Sequence, residues 1–418
     1  MRNDECGFQH SAFIIPHSAF TVRLLFLTPR LPHPPRQGTA IRNWGLIKSL
    51  SARHTITLLT FADETESISA ELRAACARIE TIPVPPARPL TQRLRDLLLS
   101  PLPDLAHRLA SPAFGDRLTS LLQSNSFDTL FIEGLELAPY LSSLLSPPSS
   151  IIFDAHNCET LLQRRAFQSD LRSPRRWLAA LYSLIQSGKL ARFEAEACRR
   201  AAHVTCVSAE DSAALHAIVP TLNPTIIPNG IFLADYDWDD ERQASNDKIV
   251  FTGKMDYRPN VDAVIWFANE ILPLIQRKVP QVQFVIVGQK PTEAVRKLSE
   301  RQGVIVTGAV DDVRPHIAGA AVYVAPLRMG GGTRYKLLEA MALYCPIVST
   351  TLGAEGFAVH HGRELLLAET ADDFANAVIR LLRDQTQRYA LSEGGYEFVK
   401  QCDWQRIVPG LEKLLANK

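Results

Sequence analysis

Short apolar runs, each bounded by turn residues and followed by a helical stretch, constrain this chain more than any other feature. The first is Val22-Arg23-Leu24-Leu25-Phe26-Leu27-Thr28. A strand with one face in water alternates apolar and polar residues. A run that is apolar at nearly every position is buried on both faces, as in parallel sheets covered by helices. A proline-rich turn follows, then Gly38 and a helix expected over 39–51. Further strands are expected at 55–61, 79–83, 129–133, 151–154 and 203–207. Helical stretches separate them, the longest over 174–200. Strands that alternate with helices imply right-handed crossovers and a parallel sheet.

The pattern then restarts. Ile226-Ile227-Pro228-Asn229-Gly230 closes the first series, and the polar, acidic stretch 234–247 reads as a linker. Strands are expected at 248–252, 283–287, 304–307, 321–325 and 347–350, with a helix over 261–275. The expected fold class is therefore α/β, with two doubly wound Rossmann-like domains facing across a cleft. The first would span 22–232 and the second 233–400, including a linker at 233–247. A final amphipathic helix is expected within 401–418. Ligands of such sheets bind beyond the carboxyl ends of the strands.

Composition narrows the function classes. Of 418 residues, 46% are apolar and 21% charged, ordinary values for a globular protein. The 45 basic and 44 acidic residues leave a net charge of +1, which gives no sign of a nucleic-acid partner. No apolar run approaches the ~18 residues of a membrane span. The 7 cysteines include no CxxC pair, so buried thiols are expected rather than a zinc site. Residues 1–21 are expected to stand outside the fold, as a disordered or mis-annotated extension. His10-Ser11-Ala12-Phe13 repeats there as His17-Ser18-Ala19-Phe20 with no core pattern.

The most specific local signal is Pro326-Leu327-Arg328-Met329-Gly330-Gly331-Gly332-Thr333-Arg334-Tyr335-Lys336-Leu337-Leu338-Glu339-Ala340. A strand ends, glycines follow, and a helix begins near Thr333. Glycines let backbone approach a ligand closely, and the first helical turn offers unpaired N–H groups to an anion. Arg334 and Lys336 add positive charge. Glu339 lies where a carboxylate can accept two vicinal hydroxyls.

With these residues in view, the second half resembles the donor domain of retaining glycosyltransferases of family four, which have the GT-B fold. The matching pieces are Asn229-Gly230, Phe251-Thr252-Gly253-Lys254-Met255-Asp256-Tyr257-Arg258-Pro259-Asn260, Val285-Ile286-Val287-Gly288, Val306-Thr307-Gly308-Ala309-Val310-Asp311-Asp312, the glycine-rich segment, and Pro346-Ile347-Val348-Ser349-Thr350. The first half matches more loosely, through Gly38, Arg42, His54 and Asp154-Ala155-His156-Asn157-Cys158-Glu159.

The resemblance implies that the final helix, within 401–418, crosses back to the first domain, and it implies roles for single residues. Lys254 and Arg258 would neutralise the diphosphate of a nucleotide-sugar, and Glu339 would hold its ribose. Gly308, Ala309 and Val310 would line the base. Gly331, Gly332, Thr333 and Arg334 would cradle sugar and phosphate, and Lys336 would stabilise the leaving charge. Many members carry a further glutamate at the position of Gly331. That carboxylate is absent here, and a mechanism using it is out of reach. On the first domain, Gly38, Arg42, Glu133 and Asp154 are expected along the acceptor side of the cleft. His156 would orient the reacting sugar or move a proton. A satisfied histidine in a turn with Asp154 or Asn157 is the alternative for that residue.

No metal or other cofactor is expected. Asp235-Tyr236-Asp237-Trp238-Asp239 resembles a metal-binding DxD but falls in the linker, and His360-His361 reads as a surface turn. The implied activity is retaining, metal-independent transfer of a sugar from a nucleoside-diphosphate sugar to a hydroxyl of a glycan or lipid-linked acceptor. By the family analogy this serves surface or extracellular polysaccharide synthesis. The implied location is cytoplasmic, with peripheral contact at the inner face of the plasma membrane. The cation-rich, partly apolar stretch from Arg164 to Arg200 is the candidate for that contact, against the simpler reading of an ordinary surface helix. Two other readings share the fold: a nucleotide-sugar epimerase and a non-catalytic assembly protein.

Overall fold

The computed structural model describes residues 21–35, 38–144, 150–171, 174–236, 245–330 and 334–416, with only the backbone of residues 142, 143 and 175. The repeated segment near the amino terminus, residues 237–244 of the linker with Asp237 and Asp239, and Gly331, Gly332 and Thr333 lie outside the described residues.

Two parallel sheets organise the chain. The first contains β1 (Arg23–Thr28), β2 (Thr55–Ala62), β3 (Arg78–Pro83), β4 (Thr129–Glu133), β5 (Ser150–Asp154), β6 (His203–Cys206) and β7 (Thr225–Ile226). Their spatial order is β3-β2-β1-β4-β5-β6-β7. The second contains β8 (Lys248–Thr252), β9 (Gln283–Val287), β10 (Val304–Gly308), β11 (Val322–Ala325), β12 (Ile347–Ser349) and β13 (Leu366–Leu367), ordered β10-β9-β8-β11-β12-β13. In each sheet the order reverses beside the first strand, between β1 and β4 and between β8 and β11. A crevice opens at such a reversal, at the carboxyl ends of the strands.

The apolar runs are buried as their composition requires. Leu24, Leu25, Phe26 and Leu27 of β1 are all inaccessible to solvent, alternately facing helices on the two sides of the sheet. The helix expected over 261–275 is broken up. It starts earlier, as Arg258–Trp266, then widens into a π-turn at Phe267–Ile271 before Leu272–Gln276. Pro273 accounts for this: it has no N–H to donate and its ring crowds the preceding turn, so the ladder must widen ahead of it.

The last helix, Trp404–Ala416, packs on the first domain. Its Trp404, Ile407, Val408, Leu411 and Leu415 share a core with Leu24, Phe26 and Trp44. Gly45 makes the approach possible, because a Cβ there would sit 2.0 Å from the Trp404 ring. The chain therefore passes between domains twice, and the two passages lie side by side. Ile231 donates to the Cys402 carbonyl at 2.9 Å and Trp404 donates to that of Ile231 at 3.0 Å.

Candidate functional site

On the second domain, the turn after β8 is built for close approach. Gly253 has φ +154°, and a Cβ there would meet the Asn260 amide at 2.7 Å and the Lys336 ammonium at 3.0 Å. Asn260 fixes the turn by donating to the Lys254 carbonyl at 2.9 Å. Its other amide atom, Oδ1, accepts from Lys336 Nζ at 2.9 Å. The Lys336 ammonium also stands 4.1 Å from the centre of the Phe251 ring. Burial and the nearby Arg334 charge drive its pKa down to about 7, against the attraction of Glu339.

Lys336 and Glu339 belong to one helix, Tyr335–Ala342, and three residues apart they share a face. Glu339 Oε1 accepts from the Tyr236 hydroxyl at 3.3 Å. Burial raises the Glu339 carboxyl above the usual carboxylate range, against Tyr236 and Lys336. Lys254 and Arg258 are exposed beside the turn, Lys254 within 3.4 Å of Asp256. Gly308, Ala309 and Val310 follow at the end of β10, Gly308 with φ +75°. Arg334 is buried at the start of the helix.

On the first domain, His156 follows β5 with φ +55°. Its Nε2 lies 2.5 Å from Glu133 Oε1 and 3.5 Å from Asp154 Oδ2. Burial opposes the charged imidazole, but Glu133 and then Asp154 outweigh it and the pKa is raised. His156 and Glu133 line a cavity of about 430 Å³, together with Glu136, Glu159, Arg30 and Arg108. Burial, Glu136 and Glu194 push the Glu159 carboxyl up to about 7.

Two expectations for this wall need correction. Arg42 and Asp154 do not face an open acceptor surface: they are 1% and 0% exposed. Arg42 Nε donates to Asp154 Oδ2 at 2.7 Å and Nη2 donates to Oδ1 at 3.0 Å. A guanidinium placed this deep must be fully paired, so it is consumed inside the domain. Glu133 reaches the cavity wall but is itself buried, accepting from Asn43 Nδ2 at 2.6 Å. Gly38, in contrast, is exposed, and its Cβ position lies 3.8 Å from the Tyr335 ring across the cleft. His360 is exposed, as expected of a surface turn.

The structure thus brings Lys336, Glu339 and the turn carrying Lys254 to one sheet edge, and His156, Glu133 and Asp154 to the other. Asn43, Asn229, Tyr236 and Tyr335 were not singled out as site residues. Their partners lie 90 or more residues away, so sequence position alone does not show what they meet.

Two such domains, with their carboxyl edges turned to a shared cleft, define the GT-B fold. Within the second domain, residues 246–384 match the model described as glycosyl transferases group 1. The chain is 28% identical over 206 residues to a phosphatidyl-myo-inositol mannosyltransferase of Propionibacterium freudenreichii, a match covering 45% of this chain and 49% of that protein. It spans about half the length of the curated relatives it matches. Among solved structures, it is similar to a sucrose-phosphate synthase from Thermosynechococcus elongatus, with TM-score 0.69, 17% identity, and 94% and 98% of the two chains covered. It is also similar to Anabaena Alr3699/HepE in complex with UDP-glucose, with TM-score 0.63, 14% identity, and 95% and 100% covered.

Proposed function

We propose that the protein is a glycosyltransferase that moves a sugar from a nucleoside-diphosphate sugar to a hydroxyl of a glycan or lipid-linked acceptor. The observation that carries this reading is the meeting of Lys336, Asn260 and the Gly253 turn, with Glu339 one helical turn away. The barrier to glycosyl transfer lies in departure of the nucleoside diphosphate. Preorganised cations and N–H groups aimed at that charge give the main stabilisation. In this reading Lys254, Arg258 and Lys336 supply the cations, which makes transfer independent of metal. Glu339 holds the ribose, Gly308 to Val310 line the base, and Gly331 to Arg334 cradle the sugar and phosphate.

His156, beside Glu133 and the cavity they line, orients the acceptor hydroxyl. The acceptor proton passes to the departing phosphate, so the sugar leaves and is attacked on one face, with retention. The setting is surface or extracellular polysaccharide synthesis at the inner face of the plasma membrane. The name of the Propionibacterium relative, a lipid mannosyltransferase, supports a lipid-linked acceptor. So does an apolar surface on the first domain. The helix Leu90–Leu99 buries none of its residues, and Leu98 is 77% exposed. Leu178 of the neighbouring helix Trp177–Arg200 is 86% exposed. Lys189 ties the two helices together by donating to the carbonyls of Asp96, Leu97 and Ser100.

The test is thermal unfolding against a panel of nucleoside diphosphates and their sugars, with and without magnesium. A ligand at 100 times its dissociation constant adds about 2.7 kcal/mol. A rise in midpoint with one base, the same in EDTA, is expected. No rise with any nucleotide would overturn the donor-site assignment.

A further inference from the structure

Between the two walls of the cleft runs a chain of buried polar contacts that the transfer chemistry described above does not use. It starts on the donor-side helix, where the Tyr335 hydroxyl donates to Asn229 Oδ1 at 2.9 Å. The same oxygen accepts from Arg42 Nη1 at 3.2 Å, and that nitrogen also donates to the Ile227 carbonyl at 2.9 Å. Arg42 then grips both oxygens of Asp154, whose Oδ1 accepts from Thr205 at 2.8 Å. Asp154 Oδ2 lies 3.5 Å from His156 Nε2. Arg42, Asp154, Asn229 and Tyr335 are all buried, so water does not screen one link from the next.

We infer that Tyr335 is a positioning residue: by sharing Asn229 with Arg42 it sets how fully Arg42 neutralises Asp154, and so the charge that His156 meets across the domain boundary. Asn229 Oδ1 has two lone pairs and two donors. Without the tyrosine hydroxyl, Asn229 is free to draw the guanidinium toward itself, and Asp154 faces His156 with more of its charge uncompensated. Without the asparagine oxygen, Arg42 turns the other way and engages Asp154 more fully. Tyr335 adjoins Lys336 and lies one turn before Glu339 on one rigid helix. Whatever engages those two residues therefore moves the first link of the chain. The wiring stands on geometry alone; its consequence for transfer rests on the glycosyltransferase reading.

The experiment reads the titration of the His156 imidazole by NMR of histidine-labelled full-length protein, assigned by the signal lost in His156→Ala. His156 also faces Glu133 from β4, Arg42 from the opening helix, and Glu136, Glu159 and Arg108 around the cavity. None of these is substituted in the two variants used, and of them only Arg42 is the group the variants are meant to reposition. In Tyr335→Phe, which keeps the ring, the midpoint should rise by a few tenths of a pH unit. In Asn229→Ser, with the oxygen withdrawn from Arg42, it should fall. A destabilised fold would not move the two in opposite directions. An unchanged midpoint in either variant that remains folded, or shifts of the same sign, would overturn the inference. Nucleotide binding by wild-type protein is scored separately in the thermal panel. Failure of the donor reading therefore leaves this result standing, and the reverse holds as well.

Discussion

The lysine at the centre of the donor wall makes nucleotide affinity depend on pH in a calculable way. Lys336 has a pKa of about 7, because burial and Arg334 disfavour its charge. A diphosphate set against that ammonium restores the charge, so binding takes up a proton wherever the free lysine is neutral. The sign follows: affinity is flat below pH 7 and falls as pH rises toward the pKa of the bound state. The charged fraction of a group with this pKa drops from about three quarters at pH 6.5 to about one thirtieth at pH 8.5. The dissociation constant should therefore rise about 25-fold over that range, provided the bound pKa stays above about 9. The terminal phosphate of a free nucleoside diphosphate takes its last charge near the bottom of this window, at about pH 6–7, and by gaining charge as pH rises it works against the trend rather than mimicking it. Isothermal titration of the tightest nucleoside diphosphate, in two buffers of different ionisation enthalpy, measures both the constant and the proton uptake. Lys336→Arg keeps a cation that does not titrate there, and should flatten the profile. A wild-type profile that is already flat, or a slope that survives in Lys336→Arg, would refute the argument.

Other outcomes follow from the same geometry. Glu339→Ala should weaken nucleotide-sugar binding tenfold or more in the same calorimetric assay, through loss of the carboxylate for the ribose, about 1.4 kcal/mol or more. Arg42→Met should cost about 3–5 kcal/mol in urea unfolding, because Asp154 is left buried without its guanidinium partner; adding Asp154→Leu to that variant should recover much of the loss. Trp404→Ala should cost about 3–5 kcal/mol by the same measurement and lower the melting temperature of the first domain, since its ring fills the space over Gly45. Leu98→Glu combined with Leu178→Glu should abolish flotation with vesicles rich in phosphatidylglycerol while leaving the melting temperature unchanged; flotation equal to wild type would remove the membrane surface from the reading.

The strands were legible because burial on both faces leaves a mark that needs no partner to interpret. The run from Val22 to Thr28 and those at 129–133 and 248–252 lie within one or two residues of β1, β4 and β8. The helices Ala371–Arg383 and Gln385–Val399 were passed over, although Thr370 and Asp384 cap them with side-chain oxygens. Those capping residues are common in loops as well, so they carry less information than an apolar run. The donor wall was readable because glycines, cations and Glu339 fall within one short segment. The first-domain wall was misread at Arg42 because sequence position does not reveal depth. An arginine one turn into a helix is usually solvated, and its partner Asp154 is 112 residues away. The same holds for Tyr335 and Asn229, which meet only after both domains have formed.

The return of helix Trp404–Ala416 to the first domain bears on how the molecule is made. That helix supplies one side of the core under Leu24, Phe26 and Trp44. It leaves the ribosome well after the last strand of that sheet, β7. At translation rates of about 5–20 residues per second, the interval of roughly 180 residues lasts about 9 to 36 seconds. Throughout it the first sheet stands with an apolar flank uncovered while the second domain is assembled. The first domain cannot complete its core until the last helix has been synthesised, so its covering is finished only after the segment of the second domain has left the ribosome. A chaperone that shields the flank near Trp44 during that interval would act on the wild-type chain at a point no purified, refolded sample passes through in the same order.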